Sequence, residues 1–95
     1  MTIVWTWRAR HNMVSLREYI AKASLQNSAL VTRRILIAVD LLETQPEMGR
    51  PGRMFGTREL VVPDTPYIIP YRIRRGQLEL LAVIHGHQMW PTKMM

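Results

Sequence analysis

The chain contains no cysteine, which excludes disulfide bonds and thiolate metal sites. It also lacks any run approaching the ~18 consecutive apolar residues that a membrane-spanning helix needs. The segment Met1–Arg8 is not expected to be a signal peptide, because its apolar run is short and the basic residues follow that run instead of preceding it. These absences predict a protein of the cytoplasm with no membrane association, and the missing cysteine fits a reducing compartment.

The common catalytic signatures are missing as well. The sequence has no P-loop, no dinucleotide-binding glycine motif, no nucleophile elbow and no HExxH zinc helix. His85 and His87 are spaced so that they could share a metal ion, but the sequence shows no third ligand. We therefore expect neither a metal site nor a cofactor.

Lysine is scarce, and most of the positive charge is carried by arginine. Lys22 and Lys93 are the only lysines among 13 basic residues, against 7 acidic ones, and the net charge is +6. Arginine presents a planar fork that binds phosphate or carboxylate at two points. The composition therefore favours a polyanionic partner, such as nucleic acid, a ribosome or an acidic protein. The alternative is a small basic protein with a solvated charged surface.

The first half of the chain changes from strand to helical periodicity. Residues 2–7 alternate as a strand does, and Ala9, Met13, Leu16, Ile20 and Ala23 then follow at helical spacing. A second helix is expected to run to about residue 43, with Ser24, Asn27 and Ser28 as candidate N-caps. Pro46 and Gly49 end it. The short connection between the two helices predicts an αα-hairpin.

The second half predicts three strands, at 58–62, 67–74 and 78–85. The turn at 63–66 and the Arg75-Gly76 hairpin signal are short, so these strands should be antiparallel neighbours. Pro70 should cause a bulge or face outward, because it cannot donate to a ladder. We predict a single α+β domain over residues 1–95, in the order β-α-α-β-β-β, with an antiparallel sheet packed against the αα-hairpin.

Arginines are concentrated on and around these strands. The segment from residue 50 to residue 75 contains six basic residues and only two acidic ones. They predict a phosphate-binding concavity at one end of the sheet, formed by Arg50, Arg53, Arg58, Arg72 and Arg74. The alternative is that they are solvated charges that protect an exposed edge.

The two histidines near the C-terminus are candidates for acid–base chemistry. Imidazole titrates near neutral pH, so His85 or His87 could protonate a leaving alkoxide while an arginine such as Arg58 stabilises the charged phosphate. The alternative is a strand-end histidine bonded to the backbone. Trp5, Trp7 and Trp90 are expected to cover the core or the sheet, with base stacking as the alternative.

Several short motifs occur in the order found in one known family. They are a strand ending in Trp-Thr, a helix ending in Tyr19-Ile20-Ala21, the segment 46–50, the segment 56–60, Pro66-Tyr67, Tyr71-Arg72 and His85-Gly86-x-Gln88-x-Trp90-Pro91. Together they cover nearly the full chain, which resembles the RelE/ParE superfamily of toxins from bacterial type II toxin–antitoxin systems. The resemblance implies an antiparallel sheet backed by an αα-hairpin, and an acidic antitoxin partner that wraps the toxin in a hetero-oligomer.

The resemblance implies two activities that differ between branches. RelE-like members cleave mRNA on the ribosome, whereas ParE-like members inhibit DNA gyrase and cut nothing. Arg50, Arg53 and Arg58 match the basic loop and strand of the nucleases, but their lysines are arginine here and no tyrosine follows Tyr71. We predict an mRNA interferase, with gyrase inhibition as the alternative. A third hypothesis is a basic binding protein that has lost its toxicity.

Overall fold

A computed structural model describes residues 1–91 and 93–94 as two helices and a six-stranded sheet. The elements are β1 (Thr2–Trp5), α1 (Trp7–Ala21), α2 (Leu25–Leu42), β2 (Arg50–Pro51), β3 (Arg58–Val61), β4 (Tyr67–Arg74), β5 (Gln77–Leu80) and β6 (Ile84–His85). The sheet order is β1-β5-β4-β3-β2, and β6 pairs with β4 beyond the end of β5. Among these residues no helix combines the length and the apolar character needed to cross a bilayer.

Both helices begin at side-chain caps. The Thr6 hydroxyl accepts a hydrogen bond from the Ala9 amide at 3.3 Å and donates one to the Leu80 carbonyl at 2.6 Å, so the cap also ties α1 to the end of β5. The first strand consequently ends at Trp5, two residues earlier than the alternation predicts. Ser24 caps α2 by accepting from the Asn27 amide at 3.1 Å, which selects one of the three candidate caps.

The core lies between the helical hairpin and one face of the sheet. Its buried members include Ala9, Met13 and Leu16 from α1, Ile35, Val39 and Leu42 from α2, and Leu60, Ile69, Tyr71, Leu78 and Leu80 from the sheet. The predicted α+β class, with a helical hairpin packed on a sheet, is therefore confirmed. Trp5 packs at the edge of this core, but Trp7 is 82% exposed and contradicts its predicted covering role.

The predicted antiparallel pairing holds for β3, β4 and β5, but the sheet as a whole is mixed. Strand β1 runs parallel to β5, in a register from Thr2 opposite Gln77 to Trp5 opposite Leu80. Short turns impose antiparallel pairing on β3, β4 and β5, but β1 reaches β5 only after two helices and three other strands. No local connection sets its direction, so the local argument does not extend to it.

The last predicted strand, 78–85, is split into β5 and β6 by residues 81–83. The Leu81 amide donates to the Pro70 carbonyl at 2.8 Å, but Pro70 has no N–H to donate back on that side. Pairing is interrupted at this position, and the Val83 amide donates instead to Asn12 Oδ1 at 3.0 Å. The irregularity expected at Pro70 is therefore found in the adjacent segment of the sheet, between β5 and β6.

Side chains alternate between the two faces of the sheet. One face packs on the helices, and the other, here called the open face, points away from them. The strand registers place on the open face Arg50, Glu59, Pro70, Arg72, Arg74 and Glu79. The open face therefore holds most of the predicted phosphate-binding arginines.

Candidate functional site

Glu59 organises the basic loop at the β2–β3 end of the open face. It is only 3% exposed, and its Oε1 accepts hydrogen bonds from Arg50 Nε at 3.3 Å and from Arg50 Nη2 at 3.1 Å. Its Oε2 accepts from the Arg53 amide at 2.9 Å. One buried carboxylate thus fixes one arginine side chain and the backbone that carries another.

Trp90 completes this cluster. The guanidinium carbon of Arg53 lies 3.7 Å from the centre of the Trp90 ring, a cation–π contact, while Arg53 Nε lies 3.6 Å from Glu59 Oε2. One face of the indole is therefore covered by a cation. The Trp90 Nε1–H group is buried and has no hydrogen-bond partner within residues 1–91 and 93–94.

A second basic group lies across the β4–β5 hairpin on the same face. Arg72 Nε donates to Glu79 Oε1 at 2.6 Å, and Arg74 Nε lies 4.0 Å from the same oxygen. The hydrogen bond from Arg72 lowers the pKa of Glu79, so this carboxylate is ionised at neutral pH. The two groups together hold four arginines, Arg50, Arg53, Arg72 and Arg74, against the carboxylates Glu59 and Glu79. An excess of two positive charges therefore remains at the open face.

Arg58 lies on the helix-facing side and binds backbone. Its register partner is the core residue Tyr71, and its Nη1 donates to the carbonyls of Gly49 at 2.8 Å and of Glu47 at 3.3 Å. The Tyr71 hydroxyl holds the same segment, accepting from the Gly49 amide at 2.9 Å and donating to the Pro46 carbonyl at 2.8 Å. Burial raises the pKa of Tyr71, which keeps this hydroxyl protonated.

The two histidines lie at the opposite end of β4. His85 pairs with Tyr67, and its ring meets the Tyr67 ring edge-on at 5.6 Å. His85 Nδ1 accepts from the His87 amide at 3.1 Å, and the two imidazole rings lie 5.6 Å apart. Within the described ranges no hydrogen bond joins either histidine to an arginine.

The predicted site residues therefore occupy three places. Arg50 and Arg53 form one group with Glu59, and Arg72 and Arg74 form another with Glu79. Arg58 pairs with Tyr71 on one side of β4, and His85 pairs with Tyr67 on the other side. Four residues along β4 and two strand spacings across it separate the backbones of Arg58 and His85 by about 16 Å. The structure does not bring the predicted acid–base histidines to the arginine that was expected to act with them.

The two organising acids, Glu59 and Glu79, were missed as site residues. The signal for Glu79 was available, because a two-residue turn at Arg75-Gly76 pairs residue 72 with residue 79. For Glu59 the alternation along β3 indicates only which face of the sheet the side chain lies on. Its pairing with Arg50 and Arg53 depends on a loop whose shape has no repeating pattern.

Comparison with known proteins identifies first the fold and then the family. The fold, a helical hairpin on a small mixed sheet, matches a solved structure described as the chromosomal ParDE toxin–antitoxin system from P. aeruginosa, with a TM-score of 0.80 at 20% identity over 90% of this chain and 95% of that one. The model of the ParE toxin of type II toxin–antitoxin systems, parDE, matches residues 3–90. The chain belongs to this toxin family.

Two relatives agree with this assignment. The chain is 51% identical to a protein named toxin Y4kP from Sinorhizobium fredii over 89 residues, which cover 94% of this chain and 92% of the relative. It is 33% identical to toxin RelE2 of Caulobacter vibrioides over 87 residues, which cover 92% of this chain and 97% of the relative. The predicted RelE/ParE resemblance is confirmed, and family membership implies an antitoxin partner.

Proposed function

We propose that this toxin stops growth by binding and inhibiting DNA gyrase, as the ParE resemblance implies, and not by cleaving mRNA. The match of the ParE family model to residues 3–90 supports this branch. In this proposal the open face and its flanking segments serve recognition. No side chain acts as an acid or a base.

The observation that carries the proposal is the separation of the groups that a nuclease would need together. A general acid and a phosphate-stabilising cation must both reach one scissile phosphate by hydrogen bonds. Here about 16 Å separates the backbones of Arg58 and His85, and Arg58 is engaged with two carbonyls. Arg58 would have to leave both of these carbonyls before it could bind a phosphate next to His85.

The charge of the chain supports an acidic antitoxin as the partner that neutralises it. The net charge is +6, and the open face keeps unpaired positive charge after its internal ion pairs are counted. An acidic segment would be attracted to such a surface over a Debye length of about 8 Å at physiological salt. The proposed complex is a toxin–antitoxin hetero-oligomer in the cytoplasm.

The proposal is tested in cells that express the toxin from a tightly regulated promoter. Gyrase inhibition predicts that a reporter plasmid loses negative supercoils soon after induction, while primer extension finds intact messages. Co-expression of the cognate antitoxin should restore both growth and supercoiling. Ribosome-dependent cuts in mRNA with normal plasmid topology would overturn the proposal.

The rival activity, ribosome-dependent mRNA cleavage, has a specific test of its own. If His87 is catalytic, the variant His87→Ala abolishes cleavage in an in vitro translation reaction, whereas Arg75→Ala, an exposed change at the distant hairpin turn, does not. We expect no cleavage from the wild type, from His87→Ala or from Arg75→Ala. Cleavage that depends on His87 would favour the nuclease.

A further inference from the structure

A pocket with polar and apolar lining residues lies at the histidine end of the sheet, against α1. Its volume is about 360 Å³. It is lined by Asn12, Ser15, Leu16 and Tyr19 from one face of α1, by Tyr67 from β4, and by Val83, His85 and Gln88 from the chain that follows β5. The gyrase proposal assigns no role to this pocket.

Three of its side chains have their acceptor atoms occupied by backbone amides. Asn12 Oδ1 accepts from the Val83 amide at 3.0 Å, and Gln88 Oε1 accepts from the His85 amide at 3.2 Å. His85 Nδ1 accepts from the His87 amide at 3.1 Å. Since an amide N–H needs an acceptor opposite it, these bonds fix the orientation of both carboxamides and the tautomer of the imidazole.

The atoms that remain for a ligand on these three side chains are therefore donors. They are the NH₂ groups of Asn12 and Gln88 and the Nε2–H of His85. Ser15, Tyr19 and Tyr67 add hydroxyl groups to the same lining. Burial, and then the neighbouring Tyr19, raise the pKa of Tyr67, so its hydroxyl keeps its proton at neutral pH.

The lining carries no carboxylate, and it has an apolar side. Leu16 and Val83 are both buried in the wall, and the two tyrosine rings add carbon surface. A lining with donors, no negative charge and an apolar wall matches a ligand that has a negatively charged oxygen group and a small hydrophobic part. A ligand without an acceptor would leave the donors of Asn12, Gln88 and His85 unpaired.

We propose that the pocket between α1, Tyr67 and His85 binds the oxyanion group, phosphoryl or carboxylate, of a small molecule. The oxygens would accept from the amide groups of Asn12 and Gln88 and from His85 Nε2–H, and the hydrophobic part would lie against Leu16. Binding is independent of gyrase, so it stands or falls separately from the proposed function.

The test is a ¹H–¹⁵N NMR titration of the full-length toxin with two probes, sodium phosphate and sodium acetate, at constant ionic strength. We expect saturable shifts with a dissociation constant of order 1–10 mM, a range typical of a single small anion held by a few hydrogen bonds. The shifts should be largest at the side-chain amides of Asn12 and Gln88 and at the backbone amides of His85 and His87. Saturation by phosphate alone identifies a phosphoryl ligand, and saturation by acetate alone identifies a carboxylate.

Asn12→Asp is the sharpest variant, with Asn27→Asp as its matched control. The substituted carboxylate retains an acceptor for the Val83 amide but replaces the pocket's donor with a negative charge, so binding should weaken at least about tenfold. Asn27→Asp makes the same chemical change at an exposed position outside the pocket and should leave affinity within about twofold. Tyr67→Phe, which removes one hydroxyl, should weaken binding about three- to tenfold and serves if Asn12→Asp does not fold.

Two results would overturn the proposal. One is the absence of saturable shifts at these residues with either probe. The other is equal weakening by Asn12→Asp and Asn27→Asp, since that would show a general response to net charge. In each case the thermal unfolding midpoint of the variant shows whether the comparison is between folded proteins.

Discussion

At the residue scale, Glu59 decides the shape of the basic loop. It is a nearly buried carboxylate with two partners from the loop, the side chain of Arg50 and the backbone of Arg53. Burial of a charge is costly unless it is paired, and here both oxygens are used. The arginines of the loop are therefore presented in a fixed arrangement.

Glu59→Gln should destabilise the protein by about 1–3 kcal/mol. Gln retains one carbonyl oxygen, but its NH₂ group must face either the Arg50 guanidinium or the Arg53 amide, and two donors cannot bond each other. Urea denaturation measures the free energy of unfolding. Glu18→Gln, the same change at an exposed position of α1, is the control and should cost less than about 0.5 kcal/mol. Equal effects of the two substitutions would contradict the assigned role.

Glu79 predicts a pH dependence. The native protein holds the pKa of Glu79 below its ordinary value of 4.5, chiefly through Arg72, so the stabilisation is present above that pH and is lost as the pH falls through the lower native value. Glu79→Gln should therefore be less stable than the wild type at pH 7, by less than about 1 kcal/mol, because solvent still screens this partly exposed pair of side chains. Urea denaturation at neutral pH and at about pH 3 should show this difference shrinking in acid. A difference that does not change with pH would contradict the assignment.

At the scale of elements, the β4–β5 hairpin depends on two residues with left-handed backbone conformations. Arg75 has φ of 54° and Gly76 has φ of 75°, the signs that a tight two-residue hairpin turn requires. Glycine adopts this conformation without steric cost, whereas a residue with a Cβ atom does not.

Gly76→Ala should destabilise the protein by about 1–2 kcal/mol, because the added Cβ strains the turn even though open space surrounds it. Arg75→Asn should be neutral or slightly stabilising, since asparagine tolerates this conformation better than arginine. Thermal unfolding of both variants gives the comparison. If Gly76→Ala matched the wild type, the turn would not have the conformation described here.

The elements also show what could be predicted from the sequence. The buried faces of the helices, the Ser24 cap of α2 and the strand Tyr67–Arg74 follow from local periodicity, capping residues and turn residues, and they agree with the structure. The Thr6 cap of α1 was not predicted, because Thr6 was placed in the first strand. The split between β5 and β6 was not predicted, because residues 78–85 are an almost continuous apolar run. The cause is Pro70 on the adjacent strand, which only a known register can reveal.

The candidate site was less predictable than the fold. The positions of the arginines are visible in the sequence. Which arginines lie together in space depends on the face of the sheet that each strand position occupies and on contacts between distant segments. Arg58 was predicted among the phosphate-binding residues, and the hydrogen bonds that it donates to the backbone after α2 could not be foreseen from the sequence. Trp90 meets Arg53 across 37 positions of sequence, and no periodic pattern specifies such a contact.

At the scale of the whole molecule, the sheet separates three chemical environments. The open face carries paired arginines, the helix-facing side carries Arg58 bonded to backbone carbonyls, and the far end of β4 carries the histidines with their pocket. This separation supports the proposal that the toxin acts by binding.

Gyrase inhibition is tested most directly by a supercoiling assay with purified DNA gyrase, relaxed plasmid and ATP. We predict that the wild-type toxin blocks supercoiling in a dose-dependent manner and that stoichiometric antitoxin reverses the block. The double variant His85→Ala/His87→Ala, shown to be folded by its thermal unfolding, should inhibit gyrase as well as the wild type does. Unchanged supercoiling at a large molar excess of folded wild-type toxin would contradict the proposal.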